Sequence, residues 1–134
     1  MTESPFATYR SILVDGDYSA AGFLQSFAMA MYAGAVFPMD ASGLRNLDDP
    51  HMRAFQEMAA SYRLHGWNDP DFVDVCTAIK AKRAAYAHRI KSELDRVINS
   101  DPDQYEGGPS EHASAVRFYR LEHQANIERF WIRE

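Results

Sequence analysis

Between Asp17 and Asp40 the chain reads DYSAAGFLQSFAMAMYAGAVFPMD, and residues 18 to 39 carry no charge. A stretch of that length is enough helix to cross a bilayer. Its composition argues against that use: Leu24 is its one leucine, Val36 its one valine, and Ala, Gly, Ser and Gln fill nearly half of it. Transfer into hydrocarbon is driven by large aliphatic side chains, and a basic anchor normally marks the cytoplasmic end. Here the flanks are Asp15, Asp17 and Asp40, with no Lys or Arg until Arg45. The pattern therefore predicts a core helix from about Tyr18 to Gly34, apolar on every side because it is covered on most of them. Phe23, Phe27 and Met31 supply bulk at three-to-four-residue spacing. Ala20, Gly22, Ala28, Ala30, Ala33 and Ala35 let neighbouring backbones approach.

Four more helical segments follow from the same periodicities. Ser4 and Pro5 open the first, which runs to about Val14 and stops at the DGD of residues 15 to 17. The connector FPMDASGLRNLDDP has room for one short turn at Ser42 to Asn46. The next helix starts with Asp49 as cap and Pro50 first, ends at Gly66, and puts Met52, Phe55, Met58, Ala59 and Tyr62 on one face. Asp69 and Pro70 repeat the start signal for a helix that runs without a breaker to about Asn99. That is roughly 29 residues, or about 44 Å at 1.5 Å per residue. Phe72, Cys76, Ile79, Tyr86, Ile90, Leu94 and Val97 follow a heptad-like spacing along it, a seam for a long partner helix. After the breaker-rich SDPDQYEGGPSE, Ser110 caps a last helix that continues to the C-terminus. No segment reads as a strand, because the short apolar runs SILV and AVF are absorbed by helical periodicity. The expected fold is all-α, a compact bundle of four main helices plus short ones, in a single domain spanning residues 1 to 134.

The last helix has two apolar stripes. At 100° per residue, Phe118, Leu121, Ala125 and Ile132 form one, and Val116, Tyr119, Ile127, Phe130 and Trp131 form another on the opposite side. A terminal helix needs one stripe for its own core, so the second asks for another surface. The Val116, Tyr119, Ile127, Phe130 and Trp131 stripe is the expected interface, with a second copy of the chain as the expected occupant.

Composition narrows the classes. The 134 residues carry a net charge of −5, which disfavours general binding to phosphate backbones. Lys82, Arg89 and Arg96 nevertheless recur every seven residues and form one basic line, a candidate track for nucleic acid. Glu93 and Asp95 interleave with it and compensate much of the charge. Eleven arginines against three lysines favour protein interfaces, where a planar guanidinium is the better donor. The single cysteine, Cys76, forms no internal disulfide and sits where a core thiol would, and the first ten residues lack the basic-then-apolar pattern of a secretory leader. A reducing, cytoplasmic setting is expected, with no membrane association.

Candidate chemistry is sparse. His51, His65, His88, His112 and His123 never stand three or four residues from one another, so no helical metal motif is read and no cofactor is expected. The Glu111-His112 and Glu122-His123 pairs are adjacent and point about 100° apart. His123 falls on an apolar stripe, where a buried, hydrogen-bonded imidazole is the expectation and a general base the alternative. There is no phosphate-binding glycine loop and no nucleophile elbow. Three functional classes remain. The first is a non-enzymatic interaction protein, an adaptor or inhibitor acting as a homodimer. The second is a small helical enzyme or ligand carrier with a pocket of Tyr, Met and His123. The third is a nucleic-acid-associated factor using the Lys82, Arg89, Arg96 line.

Overall fold

The computed structural model describes residues 3 to 133. The chain is 79% helical and all-α. In order come α1 (Pro5–Thr8), α2 (Arg10–Asp15), α3 (Ser19–Ala33), α4 (Asp49–His65), α5 (Pro70–Ile98) and α6 (Gly108–Glu128). Short 3-10 helices lie at Ala41–Asn46, Gly66–Asn68 and Pro102–Gln104. The four main helices are α3, α4, α5 and α6. No helix among the described residues is long and apolar enough to cross a membrane. The chain divides into two compact units, one up to Ala81 and one from Lys82 on, with the boundary inside α5.

In the first unit the uncharged segment forms α3 as expected, and its buried Leu24, Ala28 and Met29 meet Phe6, Leu13, Ala54, Met58, Phe72 and Cys76 in one apolar core. Aromatic rings finish it: Phe6 meets Phe72 edge-on at 4.9 Å, and Phe27 lies 4.4 Å from Phe55. Gly16 ends α2 because a Cβ there would come within 2.5 Å of the Ala21 methyl, so glycine permits the tight return into α3. Gly66 ends α4 at φ +52°, a region that favours glycine.

Three local expectations are corrected here. The first helix is broken at Tyr9, which separates α1 from α2 and whose phenol donates to Glu57 of α4. The cap of α4 is Asp48 rather than Asp49, because the Asp48 carboxylate accepts both the His51 amide, at 3.1 Å, and the His51 ring at 2.6 Å. The last helix begins at Gly108, two residues before Ser110, because Pro109 suits a first turn and the Glu111 carboxylate reaches back to the Gly107 amide at 2.5 Å.

The second unit is an antiparallel helical hairpin made by the later half of α5 and by α6. The hydroxyl of Tyr86 donates to Glu122 at 2.9 Å, and His112 Nε2 donates to the Val97 carbonyl at 2.7 Å. The pairing of early with late positions sets the direction. Ala87, Ile90, Leu94 and Val97 are buried along α5, continuing the seam of Phe72, Cys76 and Ile79.

The end of α6 is the largest correction. The helix stops at Glu128 instead of continuing to the C-terminus. Phe130 turns left-handed at φ +62°. Its amide bonds the Ile127 carbonyl at 3.1 Å, and the Trp131 amide bonds the Asn126 carbonyl at 2.9 Å. These paired bonds are a Schellman cap, with phenylalanine where glycine is usual. Trp131 and Ile132 therefore lie off the helix and belong to neither helical stripe.

Candidate interaction surface

The inward face of α6 follows from its hydrogen bonds. His112, Val116, Tyr119, His123 and Asn126 recur at three- and four-residue spacing, and all are half-buried or buried. Ile127, beside them, is half-buried too. Beyond the helix end, Trp131 folds back on Tyr86, ring centroids 6.0 Å apart and near perpendicular. The guanidinium carbons of Arg129 and Arg83 lie 3.9 and 5.0 Å from the centroid of the Trp131 ring. Arg129 also donates to Glu122 at 2.7 Å and to Asn126 Oδ1 at 3.1 Å. Burial and the neighbouring Glu122 carboxylate both raise the Tyr86 phenol above its ordinary value of 10.0. This clasp of Tyr86, Glu122, Asn126, Arg129 and Trp131 closes the hairpin, and single-helix periodicity gave no sign of it.

The opposite side of α6 faces out. Phe118 is 59% exposed and Leu121 65% exposed. Leu121 lies about 180° from His112 on the helical wheel, and Phe118 and Ala125 lie within about 60° of Leu121. Of the two apolar stripes, Phe118 and Leu121 are thus solvent-facing, while Val116, Tyr119 and Ile127 are half-buried. Phe130, from the second stripe, is 63% exposed at the cap. Arg117, Gln124 and Glu128 are exposed along one border of the outer stripe.

Lys82, Arg89 and Arg96 are exposed on α5 in the second unit. Arg96 is held by Glu93, through Nε at 3.1 Å and a terminal nitrogen at 2.8 Å, and this bond holds the Glu93 carboxyl below its ordinary value. The Arg89 guanidinium lies 5.8 Å from the Tyr86 ring centroid. Cations on the line thus already have local neighbours.

An open groove of about 950 Å³ lies in the first unit, lined by Ser4, Tyr9, Glu57, Leu64, His65 and Asp69 among others, and not by His123. Two pairs of its polar groups are engaged with each other: Ser4 donates to Asp69 at 2.6 Å and Tyr9 donates to Glu57. The Glu57 bond raises the Tyr9 phenol. These pairs tie α1 to α4 and to the start of α5, a structural role. Cys76 is buried in the core, its thiol 3.6 Å from the Ala28 carbonyl. Among the described residues no group of three His, Cys, Asp or Glu side chains could hold a metal ion.

Compared with protein families, with curated proteins and with solved structures, the chain matches none. The outer face of α6 is the feature that a functional account has to start from.

Proposed function

We propose that the chain is a non-enzymatic interaction protein that works through protein–protein contacts at the outer face of α6, in a homodimeric form. The observation that carries this reading is the exposure of Phe118 and Leu121, side by side on a helix whose other side is already packed. Two large apolar side chains one turn apart form a ready anchor, since fully burying each is worth about 1.5–3 kcal/mol. Charged and polar residues on the border, Arg117, Gln124 and Glu128, give the polar rim usual around such anchors.

The test is a photo-crosslinking residue placed at position 118 of the full chain, with position 88, also exposed, on α5 as the control. Protein adducts are expected from 118 and not from 88. Equal yields from both positions, or none from 118, contradict the reading.

A further inference from the structure

The outer face of α6 carries a charge order that selects its occupant. Arg117 lies before the Phe118–Leu121 anchor and Glu128 after it, both exposed and both on the same border of the stripe. Arg117 forms no ion pair among the described residues, and the contact of Glu128 is a long 3.4 Å hydrogen bond from Gln124. We infer that the occupant is a second copy of this chain, with the two α6 helices antiparallel about a two-fold axis passing near Glu122. The inference rests on the reading of this face as a protein-binding surface.

The geometry is that of antiparallel helix pairing, in which positions equally far before and after the axis come opposite each other. With the axis near residue 122, Leu121 lies across the partner's Leu121 and the partner's Ala125. Phe118 reaches the partner's Ala125, a small residue that leaves room for a ring. Arg117 then falls within a turn of the partner's Glu128, and the symmetry repeats that ion pair at the other end. Antiparallel partners meet border to like border, so the residues that pair belong to the same edge of the stripe. A parallel pair would instead set this border against the partner's opposite border, so that Arg117 and Glu128 would not meet each other. The helix dipoles also oppose each other favourably in the antiparallel arrangement.

The experiment is size exclusion coupled to light scattering on the full chain across a concentration series, for wild type, Arg117→Glu, Glu128→Arg and the double reversal. Wild type is expected to rise from the 15.2 kDa monomer toward twice that mass as concentration increases. Each single reversal turns both ion pairs into like-charge pairs, and is expected to move the midpoint about three- to tenfold higher in concentration. The double reversal is expected to return it to the wild-type value. Circular dichroism of each variant checks that helix content is unchanged. A wild type that stays at 15.2 kDa throughout overturns the inference, and so does a dimer whose midpoint ignores the reversals or is not restored by the double one. A 118 adduct with a different protein, together with a monomeric wild type, removes the second copy and leaves the interaction surface standing. Absence of any 118 adduct removes both.

Discussion

Phe130 shows how a single residue was hidden from sequence reading. Helix ends are recognised by glycine, asparagine or a following proline, and the segment RFWIRE contains none. The chain turns at Phe130 nonetheless, at φ +62°, because the Schellman bonds and the Trp131 clasp outweigh the cost of a bulky left-handed residue. Phe130→Gly removes that cost and loses little packing from so exposed a ring. It is expected to stabilise the dilute protein by about 0.5–1 kcal/mol in urea unfolding, net of the added freedom of glycine in the unfolded chain. Destabilisation by this substitution would show that the ring packs where the structure leaves it exposed. A second residue, Tyr86, makes a pH prediction. Its phenol is raised above 10.0 in the fold, so its contribution is fully present below the unfolded value and is lost as pH rises through the folded one. Unfolding midpoints between about pH 9 and pH 11 are expected to fall less steeply for Tyr86→Phe than for wild type. Tyr9, shifted in the same direction by Glu57, accounts for part of what remains.

At the scale of elements, the legible parts were those whose signals agree. The Ser19–Ala33 helix was readable because absence of charge on every side has one common cause in a folded chain, burial. The start of α5 was readable because Asp69 and Pro70 supply a cap and a preset φ, and its seam because the spacing holds at the buried Phe72, Cys76, Ile79, Ile90, Leu94 and Val97, while Tyr86 is half-buried and Ala87 is buried beside it. The cap of α4 was missed by one residue because Asp48 and Asp49 are chemically equal, and only the His51 bond separates them. On α6 the two stripes were equally apolar, and the residues that join α6 to α5 are mostly polar: His112, Tyr119, Glu122 and Asn126. Hydropathy assigns such residues to water, whereas the bonds of His112 to the Val97 carbonyl and of Tyr86 to Glu122 turn this side of α6 inward. The two faces therefore predict opposite responses to a charge. Ile127→Glu is expected to destabilise the second unit by about 1–3 kcal/mol, since it places a carboxylate in a half-buried site. Leu121→Glu is expected to leave the urea midpoint of the dilute protein within about 0.5 kcal/mol of wild type. Equal losses from the two substitutions would mean that α6 packs on both sides.

On the scale of the whole molecule, the first unit is held by one aromatic-rich core and its groove rim of hydroxyl–carboxylate pairs, and the second by the α5–α6 hairpin with its clasp. The net charge of −5 sets a general repulsion between copies that the proposed anchor and ion pairs would have to overcome, so the proposed association is expected to be sensitive to salt. Added salt screens both the repulsion and the pairs, so single-charge variants and not salt alone separate the two effects. The central claim is that Phe118 and Leu121 leave water when two chains meet. The most direct measurement is fluorine NMR of a trifluoromethyl-phenylalanine placed at position 118, recorded through a dilution series for the otherwise wild-type chain and for Leu121→Glu. The resonance is expected to move from a solvent-exposed to a buried position as concentration rises, following the mass from light scattering, and to stay at the dilute position in Leu121→Glu. A resonance that does not change with concentration, or one that moves equally in both proteins, would contradict that claim.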